Sequence, residues 1–205
     1  MLLANNIVFK RNNRYIIKDT SVSLAPKKIV HLKGNNGVGK TTLLKLLSNI
    51  LIPDDGEIFC NGKNINKKPY DFYKETTFIM DKPTSISDLT VKENIFFWKK
   101  LFSSQRTIKE IDSVLNIFSL QQYYNTQINY LSYGEIKKLE LSRLIIEQKK
   151  LWILDEPFAG LDIKTIELIH QTIINHAELG GMVIFTSHLD PNINNLENLN
   201  LEFYE

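Results

Sequence analysis

The sequence predicts an α/β fold, in which a mainly parallel sheet is covered by helices and a helical lobe is inserted at about residues 84–145. Three observations predict it. A glycine-rich loop, "GNNGVGKTT", lies between an apolar strand pattern and a helical pattern. Two later runs, "LWILD" and "MVIFTSH", have the continuous hydrophobicity of strands buried on both faces. Between these regions the patterns are helical and no strand is convincing. Strand–helix–strand alternation of this kind argues for a parallel sheet.

The elements follow in order. "KKIVHLKG" reads as a short strand, and "TTLLKLLSNIL" as the helix after the loop. "EIFCNGK" reads as a strand entering an Asn61-Gly62 hairpin turn, with Cys60 as core filler. A helix over roughly 163–177 carries Ile166, Ile169, Ile173, Ile174 and Ala177 at helical spacing, and Gly180-Gly181 stops it. The chain has 205 residues with 43% apolar content, enough to bury a core as one domain. Its lone cysteine excludes an internal disulfide and suits a reducing compartment. No apolar run approaches the roughly 18 residues of a membrane span, and the start lacks the order of a secretory signal. A net charge of +2 gives no basic field, which argues against nucleic acid as a partner.

The loop Gly34–Thr41 matches G-x-x-x-x-G-K-[ST] in the strand-to-helix context that confirms the motif. Its glycines let backbone N–H groups of Gly34, Asn35, Asn36, Gly37, Val38, Gly39, Lys40, Thr41 and Thr42 turn toward phosphates. Lys40 is placed for the β- and γ-phosphates, and the Thr41 hydroxyl for Mg²⁺. In "LWILDEPF", Asp155 at a strand's end suits the same Mg²⁺. Glu156 beside it suits a water in line with the γ-phosphate. His188 follows another strand, where it can report the γ-phosphate. His31, His170 and His176 have no partner nearby in sequence and read as packed side chains. In "LSYGE", Ser132 and Glu135 form an S-x-x-E capping box that opens an amphipathic helix. With Gly134 beside it, the same helix terminus can also hold phosphate oxygens.

The order of phosphate loop, "LSYGE", "LWILDEP", "GLD" with Asp162 and "TSH" resembles the nucleotide-binding domain of ABC (ATP-binding cassette) ATPases over nearly the whole chain. The resemblance implies a P-loop NTPase (RecA-like) core with an N-terminal antiparallel β subdomain and an inserted α-helical subdomain. It implies ATP and Mg²⁺ as cofactors, and a head-to-tail dimer of two copies. There, Ser132, Gly134 and Glu135 of one copy close over ATP on the partner's phosphate loop. Separate transmembrane permease subunits are implied as well. They would hold this chain, which touches the membrane only through them, at the cytoplasmic face of a bacterial inner membrane. Within the family, the compact length, "LWILDEPF", "GGMVIFTSH" and the close of the chain soon after His188 are most similar to ATPases of haem exporters serving cytochrome c maturation.

Three positions depart from the family pattern. Arg11 stands where an aromatic usually stacks on adenine, with Phe9 and Tyr15 nearby as alternatives. Asp81 replaces the usual glutamine and reaches Mg²⁺, if at all, through water. Glu135 replaces the signature glutamine. Phe96, Phe97 and Trp98 read as core packing before they read as a docking surface. A soluble ABC ATPase acting on nucleic acid is disfavoured, because such chains resemble fused cassettes or carry basic extensions. A P-loop kinase is disfavoured too, since it must exclude the water that Glu156 recruits. An ATPase of another small-molecule exporter is the main alternative.

Overall fold

The computed structural model describes residues 1–191, 193–194 and 196–202. Among the described residues, nine strands form two sheets. Strands β1 (Leu2–Arg11) and β2 (Arg14–Leu24) pair antiparallel, and β4 (Asp55–Cys60) and β5 (Lys63–Asn64) extend them in the order β2-β1-β4-β5. The β1–β2 turn is Asn12-Asn13, both at positive φ (51° and 61°), the two-residue geometry that suits the right-handed twist of a hairpin. Asn61-Gly62 repeats it between β4 and β5, at φ 50° and 76°.

The second sheet is parallel throughout. It comprises β3 (Ile29–Lys33), β6 (Thr76–Ile79), β7 (Leu151–Leu154), β8 (Met182–Thr186) and β9 (Leu196–Asn200), in the order β6-β7-β8-β3-β9. Its apolar runs are continuous because both faces are covered. Leu151, Ile153, Met182, Ile184, Val30 and Leu32 pack toward helix α1 (Lys40–Leu47) and the antiparallel sheet. Trp152, Leu154, Val183 and Phe185 pack toward α6 (Ile163–Glu178) and the helices between β6 and β7. A short helix, α2 (Pro69–Glu75), precedes β6.

Residues 84–145 hold α3 (Val91–Leu101), α4 (Ile108–Ile117), two 3₁₀ turns and most of α5 (Tyr133–Ile146). Their only β pairing is the isolated Thr90–Gln127 bridge. All three of these helices begin with a complete capping box, Thr90/Glu93, Thr107/Glu110 and Ser132/Glu135. The box at Thr107 draws Glu110 down to a pKa of about 2, through backbone and side-chain hydrogen bonds from Thr107 and Arg106. The aromatic triplet splits, with Trp98 buried in the core, Phe96 half-buried and Phe97 exposed. Helix α5 differs from the amphipathic helix that its sequence suggests. It is buried on most of its circumference and takes Lys137, Glu140 and Arg143 inside with its leucines.

The three histidines set aside from chemistry are packed. His31 stacks on Phe185 (centroids 4.9 Å apart), His170 meets Phe158 edge-on, and His176 stacks on Trp152 at 3.6 Å. Burial holds His176 at a pKa of about 4, below its ordinary value of 6.5. A depressed folded-state pKa means that this stability is present above pH 6.5 and is lost as pH falls toward 4. The urea midpoint should therefore drop between pH 7 and pH 4.5, and His176→Gln should flatten that part of the profile. An unchanged profile in the variant would assign the acid sensitivity to other groups.

Candidate active site

Strands β3, β6, β7 and β8 all end at the same edge of the parallel sheet, the edge at which ligands bind in open α/β sheets. The phosphate loop leaves β3. Gly34 (φ 149°) admits no side chain, since a Cβ there would lie 2.6 Å from Leu201 O. Gly39 caps α1 in the left-handed region at φ 108° and offers no side-chain cap, so the first N–H groups of α1 remain available to an anion. Val38 is buried and pins the loop, and Lys40 Nζ donates to Gly34 O at 2.7 Å and Asn35 O at 3.2 Å.

A chain of hydrogen bonds joins the start of α1 to the ends of β7 and β8. Thr41 Oγ1 donates to Asp155 Oδ2 at 2.8 Å, and Thr186 Oγ1 donates to Asp155 Oδ1 at 2.8 Å. The backbone N–H of Glu156 donates to Thr186 Oγ1 at 2.9 Å. Asp155 is 4% exposed, and the hydrogen bonds found for its carboxylate come from these two hydroxyls. Glu156 sits at φ 46°, an uncommon conformation for a residue with a side chain. Its carboxylate accepts from the His188 backbone N–H at 3.2 Å and lies 3.5 Å from His188 Nε2.

These groups border a cleft of about 850 Å³. Asn36, Gly37, Gly39, Lys40, Thr41, Thr42, Asp81, Asp155, Glu156 and His188 line it. Phe9, Arg11 and Ile16 from the antiparallel sheet line it too, Ile16 close against Gly39. Tyr15 is not among the described residues lining the cleft. Its ring lies under Lys10 (4.6 Å) and Lys18 (5.2 Å) instead.

Nor do Ser132, Gly134, Glu135 or Asp162 line it, among the described residues. Ser132 and Glu135 exchange their capping hydrogen bonds at the start of α5. Asp162 caps α6 through Thr165 and pairs with Lys138 at 2.7 Å, contacts that hold its carboxyl well below the usual range. So one group of sequence-predicted residues converges on the cleft and a second group, among the described residues, does not line it. Thr186 and Lys137 were not foreseen. Burial pushes the Lys137 ammonium below its ordinary pKa, against the pull of Asp81, Asp155, Glu140 and Glu156.

The ABC transporter family profile matches residues 17–159. The chain belongs to the ABC transporter family. The cassette is 34% identical over 94% of its length to the cytochrome c biogenesis ATP-binding export protein CcmA of Reclinomonas americana, covering 86% of that protein. It is 30% identical to the protein of the same name from Escherichia coli K12, covering 94% of this chain and 91% of the other. In fold, the cassette is similar to a bacterial ABC transporter cassette solved as a dimer, with a TM-score of 0.83 at 22% identity over 98% of this chain and 94% of that one. The same cassette type solved with ADP and Pi gives 0.83 at 22% identity over 100% and 98%. The parallel core, N-terminal antiparallel sheet and helices are thus the ABC ATPase fold, and the chain is an ATP-binding ATPase of that family. Among the described residues no helix is long and apolar enough to cross a membrane.

Proposed function

We propose that residues 1–205 form a single nucleotide-binding domain, and that it is the ATP-hydrolysing subunit of a membrane exporter serving c-type cytochrome biogenesis, with haem as the exported group. The hydrolytic part is carried by one observation. Asp155, Thr41, Thr186 and Glu156 are linked by hydrogen bonds at the mouth of a phosphate loop. The export part is supported by 30–34% identity, over more than nine-tenths of the chain, to relatives named as cytochrome c biogenesis export proteins.

In this reading the N–H groups of the loop and the Lys40 ammonium hold the β- and γ-phosphates. The Thr41 hydroxyl and Asp155 carboxylate are hard oxygen donors already 2.8 Å apart, a set that fits Mg²⁺, and Asp81, which lines the same cleft, would act through water. Bound there, Mg²⁺ supplies charge neutralisation on the phosphate oxygens. Glu156 accepts a proton from the water whose oxygen attacks the γ-phosphorus, and ADP leaves with the electron pair of the broken P–O bond. His188 keeps the Glu156 carboxylate aimed. Arg11 and Phe9 flank the base, and Arg11 stacks as a planar cation.

The chain resembles dimeric cassettes in fold, and we propose the same head-to-tail pairing. The signature residues Ser132, Gly134 and Glu135, with Asp162, face the partner's ATP. Separate permease subunits hold the dimer at the cytoplasmic face of the inner membrane. A deletion strain complemented with wild type or Lys40→Ala tests the reading. Wild type should restore covalent haem on c-type cytochromes, and Lys40→Ala should not, because it loses the charge at the β/γ-phosphates. Normal haem attachment in the uncomplemented deletion would remove the cytochrome assignment. Wild-type ATP turnover by purified Lys40→Ala would remove the site.

A further inference from the structure

Thr186 is the last residue of β8 and the one hydroxyl in a strand otherwise made of Met182, Val183, Ile184 and Phe185. It is 0% exposed, and packing alone would put another aliphatic side chain there. The parallel register pairs Leu154 of β7 with Phe185 of β8, so the next residues, Asp155 and Thr186, leave the sheet side by side.

The Thr186 hydroxyl is used in both directions. Oγ1 donates to Asp155 Oδ1 at 2.8 Å and accepts the backbone N–H of Glu156 at 2.9 Å. A hydroxyl has one proton to give, and here it is committed to Asp155. Valine has the same shape and can make neither bond. It would leave a carboxylate oxygen and an N–H without partners at a place largely closed to water.

Each bond holds a different group. On Asp155, Oδ1 is tied to β8 while Oδ2 faces Thr41 at the start of α1, so the carboxylate is fixed from both sides. On Glu156, the bond anchors the N–H of a residue at φ 46°, a conformation that persists only where the surroundings hold it. The other bonds of Glu156 lie further along the residue. Its carbonyl accepts from the Ala159 N–H at 3.3 Å, and Oε2 accepts from the His188 N–H at 3.2 Å.

We propose that Thr186 is a positioning residue for both carboxylates. Its hydroxyl turns Asp155 Oδ2 toward the cation that accompanies ATP, and holds Glu156 in the backbone turn that aims its carboxylate at the attacking water. The inference rests on the hydrolytic reading above and deepens it, by adding a residue that touches neither nucleotide nor water.

Thr186→Val removes both bonds and keeps the shape, whereas Thr186→Ser keeps both bonds with less bulk. Each is compared with wild type in ATP turnover and in calorimetric binding of a non-hydrolysable ATP analogue without metal. Mn²⁺ binding to the analogue-bound protein is followed by electron paramagnetic resonance. Thr186→Val should lose about 10–100-fold in kcat and in Mn²⁺ affinity, the usual effect of removing a group that orients a metal ligand. Its affinity for metal-free analogue should be unchanged, and Thr186→Ser should recover most of both losses. If Thr186→Val fails to fold, Thr186→Ala removes the same hydroxyl without crowding the core and takes its place. Wild-type kcat or wild-type Mn²⁺ affinity in the valine variant overturns the proposal. So does an equal loss in the serine variant, or a fall in kcat matched by a fall in metal-free analogue affinity, since either marks a purely structural role. A wild-type protein that neither binds the analogue nor hydrolyses ATP would instead take down the active-site reading itself.

Discussion

Glu156→Gln is expected to lower ATP turnover by about 10²–10⁴-fold, the usual contribution of a positioned general base, while leaving ATP bound. The amide oxygen can still accept the His188 N–H, so the side chain keeps its place, but it cannot take a proton from water. If ATP is part of the dimer interface, the closed state should then accumulate. Nucleotide at 100 times its dissociation constant stabilises the bound form by about 2.7 kcal/mol per site, and a dimer holds two sites. Light scattering with ATP and Mg²⁺ should show dimers for Glu156→Gln and monomers when Ser132→Arg is added. Loss of the Ser132 cap is a confounding effect, and the fold supplies its own control. Thr107 opens α4 with the same capping box, so Thr107→Arg removes an equivalent cap away from the signature. Dimers should persist in Glu156→Gln with Thr107→Arg. If both double variants dimerise, or both fail to, "LSYGE" is only a helix start.

Arg143→Met should cost about 3–5 kcal/mol of folding stability, the usual penalty for breaking a buried ion pair from one side. Arg143 bonds Glu140 at 3.0 Å and Glu147 at 2.6 Å, and the side chains are 6%, 2% and 0% exposed. Its guanidinium also lies 5.1 Å from the Trp98 ring and 5.4 Å from the Phe102 ring. Without it two carboxylates stay buried, each having lost its guanidinium partner. Burial already raises the Glu147 pKa against the opposing pull of Arg143. Removing Arg143 raises it further. A raised folded-state pKa gives stability that is complete below the unfolded value, 4.5, and is lost as pH rises. The deficit should therefore be smallest near pH 4.5 and grow toward neutrality. Adding Glu147→Gln should recover part of it, since the amide still accepts from Thr77 Oγ1 and carries no charge. A cost under about 1 kcal/mol in urea titrations, the level of an exposed pair, would show that the network is not buried in solution.

These two sites differ in how far the sequence reveals them. The phosphate loop, Asp155, Glu156 and His188 are legible because each motif is short and lies at the end of an apolar strand. Parallel pairing then sets those ends at one edge. The helix start at Ser132/Glu135 is legible for the same local reason; Thr90/Glu93 and Thr107/Glu110 carry the same signal, which went unused. The Asn12-Asn13 hairpin carried a local signal too, two asparagines flanked by strand residues, but it was not read.

Helix α5 was misread because periodicity reports an apolar stripe, and α5 buries an ammonium, two carboxylates and a guanidinium as well when Glu147 at its end is counted. Only the tertiary structure supplies partners that make those charges tolerable. Thr84 and Ser85 come from more than 50 residues away, and Thr77 from 70. The sequence alone singled out the candidate residues for the chemistry, through motifs whose geometry is local. The tertiary structure decided which of them share a cleft, because that depends on the strand order β6-β7-β8-β3-β9, which brings separate strand ends to one edge. It likewise decided that α5 and residues 80–85 are bound together, because a buried charge can sit only where distant backbone groups satisfy it.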